Sequence, residues 1–241
     1  LTTKKGTLLA FSERRVGLHD HAQNDIVLKR SLDNGKNWQK MQIIADYGSK
    51  SLNDPLAVEL ESGRILLMFS MFPYGIHARS SGWIQMADNG YDGPRNTKSY
   101  LTYSDDDGET WADAREVTKM VRPHDRISAG SPGIGIQLKR GKYKGRVVMP
   151  LYYARKISQF ERDWTNATAF SDDEGLSWTI SNDIPQNGHT GFGNEAQLVE
   201  KADGSLLFVA RNEQGLHRKL AESKDGGFTW SNMKLDFGLP S

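Results

Sequence analysis

The chain has 241 residues, a formal net charge of +1, 37% hydrophobic residues and no cysteine. So even a balance leaves no electrostatic footprint for nucleic acid or a charged membrane surface. The missing cysteines exclude disulfides and thiolate zinc sites, and no apolar run nears the roughly 20 residues of a membrane-spanning helix.

Taken in order, Gly6–Glu13 reads as a strand, and Asp25–Arg30 and Trp38–Ile44 as two arms around a turn. A second unit starts at Asp54-Pro-Leu-Ala-Val-Glu-Leu, turns at Ser62-Gly63 and returns through Arg64-Ile-Leu-Leu-Met-Phe. Tyr100–Tyr103 and Thr110–Val117 complete it. The third unit has Gly133-Ile-Gly-Ile-Gln-Leu, Arg146-Val-Val-Met-Pro-Leu-Tyr and two further arms. The fourth has Ala196-Gln-Leu-Val-Glu, a hairpin signal at Asp203-Gly204, Ser205-Leu-Leu-Phe-Val-Ala, Leu216–Glu222 and Phe228–Leu235. No segment sustains a helical period, which predicts an all-β chain.

One phrase punctuates these units. Ser31-Leu-Asp33-Asn-Gly35-Lys-Asn-Trp38 returns at Ser104–Trp111, Ser171–Trp178 and Ser223–Trp230, spaced by 73, 67 and 52 residues. Its Asp suits a local backbone hydrogen bond, its Gly the positive φ of a tight turn, and its Trp packs back over the turn. Each copy therefore reads as the turn between two antiparallel strands. One four-stranded blade per repeat predicts a β-propeller with about four blades present, the first short of one strand. The start at Leu1 and the end at Pro240-Ser241 read as cuts in a larger ring, with residues 1–241 one partial domain.

Long loops are expected at Phe72–Lys98, Thr118–Ser131, Arg155–Thr165 and Ser181–Asn194. Trp83 and Trp164 within them read first as local packing. Three places depart from strand-and-turn text: Ser12–His21, Ser51–Pro55 and Gly193–Gln197 with Arg211. A two-residue turn at Asp203-Gly204 would set Glu195 opposite position 212, at the same end as Arg211. That pair suits either a structural ion pair or a site. His19 and His21 flank Asp20 without a third ligand, a weak metal signal, and no metal or cofactor is expected. Lys139–Lys144 reads as a charged turn, and Gly133-x-Gly lies in strand text, so it is not a nucleotide loop.

The four boxes, together with Gly6-Thr-Leu-Leu-Ala-Phe-Ser-Glu-Arg-Arg, Asp20, Asn53-Asp54-Pro55, Pro132-Gly-Ile-Gly-Ile-Gln and Asn194-Glu195-Ala-Gln through Arg211-Asn, resemble the exo-α-sialidases, or neuraminidases. The resemblance spans nearly the whole chain and implies a six-bladed propeller that hydrolyses terminal sialic acid with retention. It implies Asp20 as the general acid, with a raised pKa, and Glu195 as the base that activates a tyrosine nucleophile. Tyrosine avoids the repulsion that an Asp or Glu nucleophile would meet from the sugar's own carboxylate, and sialidases are among the recognised exceptions to the two-carboxylate scheme. Arg211 would join a clamp on that carboxylate, where a planar fork outperforms lysine. Arg15 would orient substrate beside the acid, and Asn53 and Asp54 would line the pocket. No Tyr here matches the nucleophile. The implied partners are sialylated glycans, and since these lie mostly outside cells, a secreted, periplasmic or cell-surface location follows. A trans-sialidase, or a propeller that binds sialoglycans without cleaving them, remains the alternative.

Overall fold

The computed structural model describes residues 1–186 and 192–241. The strands run in chain order as β1 (Leu8–Arg15), β2 (Asn24–Ser31), β3 (Gln42–Ala45), β4 (Ser51–Glu59) and β5 (Ile65–Phe72), then β6 (Ile76–His77) and β7 (Gln85–Met86). β8 (Lys98–Ser104), β9 (Arg115–Glu116), the single turn of helix α1 (Thr118–Val121), β10 (Ser128–Gly130), β11 (Gly133–Ile134) and β12 (Ile136–Gln137) follow. The chain closes with β13 (Val147–Lys156), β14 (Arg162–Ser171), β15 (Thr179–Ile180), β16 (Gly193–Glu200), β17 (Leu206–Asn212), β18 (His217–Ser223) and β19 (Lys234–Pro240). The fold is all-β, built of antiparallel ladders.

The last unit is a four-stranded sheet in the order β16-β17-β18-β19. The first two units differ from the expected separate sheets: a single parallel pair, Asn24 with Ser51, joins them into one sheet, which counts eight strands with β11 of the third unit. β11 also runs parallel to β4, pairing Gly133 with Leu56. The first three units are thus joined through parallel pairs, while the ladders inside the units are antiparallel apart from the short parallel pair of β6 with β7.

Cores fill the gaps between successive units. Leu56, Val58, Met68 and Leu101 of the second pack on Met149, Leu151, Tyr153 and Ala167 of the third. Val148 and Phe170 of the third pack on Leu198, Phe208 and Trp230 of the fourth. This two-sided burial explains why β5, Ile-Leu-Leu-Met-Phe-Ser-Met-Phe, is buried at every position and shows no alternation. Pro150 sits inside β13 without loss, because β12 pairs with Val147 and Val148 and β10 with Tyr152–Ala154. The proline falls in the gap between them, where no N–H is needed.

The boxes are turns, as their text predicts, but the bonding is richer. In the second, Ser104 Oγ accepts from Gly108 N (2.9 Å) and donates to Asp106 Oδ1 (2.8 Å). Asp106 accepts not from its own near backbone but from Thr110 N (2.8 Å) and Thr110 Oγ1, four residues on. The other three boxes repeat the Ser–Gly and Ser–Asp bonds. Two consecutive residues take positive φ, Asp107 at 65° and Gly108 at 80°. The glycine is the one that abuts Leu9 and Leu28 of the preceding unit. Trp178 and Trp230 donate back to the carbonyls of Gly175 and Gly227, each at 3.1 Å. Partial burial pushes Asp106 up, yet the Thr110 and Ser104 hydrogen bonds outweigh it and hold the carboxyl near 2. Ser104→Ala removes a bond to each of two groups, and is expected to cost about 1–2 kcal/mol. Thermal denaturation of the full-length protein should show that loss, with activity unchanged.

Some boundaries move. The arm expected at Trp38–Ile44 is strand only over Gln42–Ala45, because Trp38 belongs to the turn. Gly133–Leu138 is two short strands rather than one. The loop expected at Arg155–Thr165 shrinks to residues 157–161, because the β13–β14 ladder extends to Lys156 and Arg162. The loops Phe72–Lys98 and Thr118–Ser131 are tied together by the buried Arg122, whose Nη2 donates to Gly90 O (2.8 Å) and Thr97 O (3.1 Å). The expected loop Ser181–Asn194 falls in part, at residues 187–191, outside the described residues.

Candidate active site

A cleft of about 360 Å³ opens where strand ends of all four units meet. Arg15, Asp20, Asn53, Asp54, Glu195 and Arg211, six residues spread over nearly 200 positions, all line it. The long loops and neighbouring strands add Glu13, His77, Arg79, Tyr152, Trp164 and Glu213.

The acid side is built from β1 and the loop after it. Glu13 and Arg15 are two residues apart on β1, so they share a face. Arg15 Nη1 lies 2.6 Å from Asp20 Oδ1, while Arg15 Nε donates to Glu13 Oε2 at 2.7 Å. The Asp20 backbone is held in place by Ser51 Oγ (2.6 Å) and Asn24 Nδ2 (3.0 Å), both donating to its carbonyl. Asn53 is buried beside them and accepts from Asn24 Nδ2 at 2.9 Å. Its carbonyl therefore fastens β4 to β2 while its residue lines the cleft.

Asp54 forms the floor. It is the one non-glycine residue of positive φ, at 59°, outside the boxes among the described residues, and it sits in the bulge between Asn53 and Leu56 just before Pro55. Strain of this kind persists where surroundings over-determine it. Here Glu13 Oε1 accepts from the Asp54 amide at 3.0 Å, and Tyr152 Oη donates to Asp54 Oδ2 at 3.2 Å. Burial first, then the negative Glu13 and Glu195, push the Asp54 carboxyl up to about 7, against the pull of the Tyr152 bond. Burial and the same carboxylates drive the Tyr152 hydroxyl well above the ordinary tyrosine range. Tyr152 is thus a poor nucleophile in this setting and serves as a donor.

An unfolded aspartate titrates near about 4. The stability that Asp54 contributes is therefore complete below that pH and is lost as pH rises through about 7. Asp54→Asn should flatten the dependence of the thermal midpoint across pH 4–7 and raise stability at pH 8. Asn also accepts the left-handed backbone. A midpoint that declines over that window as steeply as in the wild type would refute the assignment.

The opposite wall comes from β16 and β17. The turn expected at Asp203-Gly204 is a three-residue loop instead, with Lys201 N donating to Ser205 O (2.8 Å) and Gly204 at φ 82°. Glu200 consequently pairs with Leu206, one place off the expected register. Gly193 pairs with Asn212 and Ala196 with Ala210, leaving Asn194 and Glu195 bulged against Arg211. Arg211 Nη1 then lies 3.3 Å from Glu195 Oε2. Beyond them, Glu213 forms an ion pair with Arg79 and accepts from Asn194 Nδ2 at 2.6 Å.

A hydrophobic wall of Phe72, Ala78, Tyr152 and Trp164 closes one side. Trp164 is buried against Tyr152, with ring centroids 5.4 Å apart, and still faces the cleft. Trp83, expected to pack locally, is 62% exposed and contacts Tyr74 (5.4 Å) and His21 (6.3 Å). His77 lines the cleft, and burial lowers it to about 4, so it is neutral at physiological pH. His19 and His21 stack on each other at 5.0 Å. Among the described residues no cluster of three or more His, Cys, Asp or Glu side chains could hold a metal ion.

Chemically the cleft sets Asp20 beside Arg15 on one wall and Glu195 beside Arg211 on the other, in a pocket with an apolar side. That is equipment for proton transfer and for holding an anionic, partly apolar small molecule. Residues 6–238 match the BNR repeat-like domain, and the chain belongs to that family, as a sialidase-type member. It is 29% identical to a sialidase of Paraclostridium sordellii over 95% of the chain and 55% of that protein. It is 28% identical to one of Micromonospora viridifaciens over 99% and 36%. Among solved structures, Hadza microbial sialidase Hz136 matches with a TM-score of 0.80 at 26% identity, over 96% of this chain and 44% of that one. The chain spans about half the length of the sialidases it matches in sequence.

His77, Arg79, Tyr152, Trp164 and Glu213 carry no signal in the sequence that points to the cleft. The exception in principle is Glu13, whose two-residue spacing from Arg15 puts both on one face of a strand.

Proposed function

We propose that the full-length protein is an exo-α-sialidase that hydrolyses terminal sialic acid from glycoconjugates with retention. In this reading Asp20 protonates the departing glycosidic oxygen, and Glu195 draws the proton from a tyrosine supplied outside these 241 residues. Arg211 contributes to the grip on the sugar carboxylate, Arg15 orients substrate beside the acid, and Asn53 and Asp54 line the floor. The four groups of strands are then blades of a six-bladed propeller.

The observation that carries the reading is convergence: two carboxylates and their arginines from distant parts of the chain face one pocket. A propeller that only binds sialoglycans would use the arginines and would gain nothing from an acid held at 2.6 Å from one of them. The raised pKa of Asp54 adds a neutral donor to the floor at mildly acidic pH, which suits an anionic substrate.

The test is incubation of the full-length protein with sialyllactose, followed by proton NMR of the first product. Release of the α-anomer of sialic acid is the expected result. Saturable binding without release would leave the glycan-binding reading standing. A second product is worth watching for: over 133 residues, 55% of this chain and 16% of the relative, identity reaches 35% with the anhydrosialidase of Macrobdella decora. An anhydro sugar in the same NMR spectrum would identify an intramolecular trans-sialidase.

A further inference from the structure

Glu13 occupies a junction that no role assigned above explains. Its side chain is only 12% exposed at the mouth of a polar cleft. One oxygen, Oε2, accepts from Arg15 Nε at 2.7 Å and lies 2.6 Å from Arg15 Nη2, so the carboxylate grips one edge of the guanidinium. The other edge, Nη1, faces Asp20 at 2.6 Å. The second oxygen, Oε1, accepts from the amide of Asp54, the residue held at φ 59°. One side chain therefore links β1, the Asp20 loop and the strained floor.

We propose that Glu13 is a positioning residue that sets the proton affinity of Asp20 by sharing Arg15 with it, an inference that rests on the sialidase reading for its activity assay. The argument is electrostatic. An unshared arginine at 2.6 Å favours ionised Asp20 and would make it a carboxylate that does not hold its proton. A second carboxylate on the same guanidinium divides that attraction. The negative charge of Glu13 also repels the charge on Asp20 directly, so both effects favour the protonated acid over the arrangement without Glu13. A general acid has to remain protonated near the working pH. The other charged or titratable groups around this corner are Asp54 from β4, Glu195 from β16, His77 from β6, and His21 and Arg79 from the adjoining loops. His77 is held neutral, so it adds no compensating positive charge at physiological pH.

Glu13→Gln is the informative change. The Gln carbonyl still accepts from the Asp54 amide, but its NH₂ is a donor facing a donor, and Arg15 turns wholly to Asp20. Two readouts follow in the full-length protein. The alkaline limb of kcat/KM for sialyllactose, where the acid loses its proton, should move to lower pH by about half a unit or more. The loss above that limb should be larger for sialyllactose than for an aryl sialoside, whose leaving group needs little protonation. A loose fold would lower both substrates alike and would not move the limb. Glu13→Asp keeps the charge one methylene short and should fall between wild type and Gln; it also serves if the Gln variant does not fold.

Superimposable pH profiles and an unchanged substrate ratio in a folded variant overturn the proposal. If the wild type cleaves neither substrate, it is the sialidase reading that fails. The link is then read without activity, by carbon-13 NMR titration of Asp20 in the same proteins. A lower Asp20 pKa in Glu13→Gln upholds the sharing, and an unchanged one ends it.

Discussion

Glu195→Gln in the full-length protein is expected to lower kcat for sialyllactose by about 10²–10⁴-fold, the usual worth of a general base, while the thermal midpoint stays put. The fold has little reason to notice. Glu195 sits in a bulge at a strand end, 43% of its side chain is exposed, and its partner Arg211 is exposed to a similar degree. An exposed ion pair of this sort contributes about 0–1 kcal/mol, and the Gln carbonyl still accepts from Arg211 Nη1. What Gln cannot do is receive a proton. Under the proposed mechanism the tyrosine then attacks as a neutral phenol, and the loss appears in kcat with substrate affinity nearly intact. Ordinary turnover by the Gln variant would remove Glu195 from its assigned role. Arg211→Lys is the informative companion: it keeps the charge but loses the fork, so KM should rise.

Asp20→Asn is the second large effect, and its signature is dependence on the leaving group. For sialyllactose the departing oxygen is an alkoxide unless protonated, and the expected loss is again about 10²–10⁴-fold. An aryl sialoside leaves as a stabilised phenolate and should suffer much less. The side chain of Asp20 is 58% exposed, and its loop is anchored through its backbone carbonyl, bonded by Ser51 and Asn24. Substituting the carboxyl therefore leaves the anchoring bonds untouched. Equal losses on the two substrates would assign Asp20 to binding rather than to proton donation. Measuring both substrates with both variants separates the acid from the base in a single experiment, because loss of the base is not relieved by a better leaving group.

Much of this was legible along the chain because it is local. The Ser-x-Asp-x-Gly-x-x-Trp turn closes within eight residues, with its hydrogen bonds spanning at most four positions, so its text alone dictates the geometry. Strand text in β5 and β13 is equally self-evident, since short runs of Leu, Val, Phe and Met between turn signals suit strands of a sheet covered on both faces. Asp20, Glu195 and Arg211 stood out because carboxylates and a guanidinium at strand ends interrupt that text.

What the chain order alone could not decide were relations between remote residues. The register of β16 on β17 depended on a three-residue loop and a bulge, and only the bulge sets Glu195 against Arg211. A one-residue difference in turn length is invisible to hydrophobic patterning, because Gly204 suits either turn. Tyr152 reaches Asp54 across 98 positions, and Arg79 meets Glu213 across more than a hundred. No propensity encodes such a meeting, since it follows from how one group of strands stacks on the next. The raised pKa of Asp54 exists only because burial and two distant carboxylates surround it. Local chemistry thus wrote the turns and the strands and placed charged groups at their ends; packing decided the partners of those groups, the charge of Asp54 and the cleft they share.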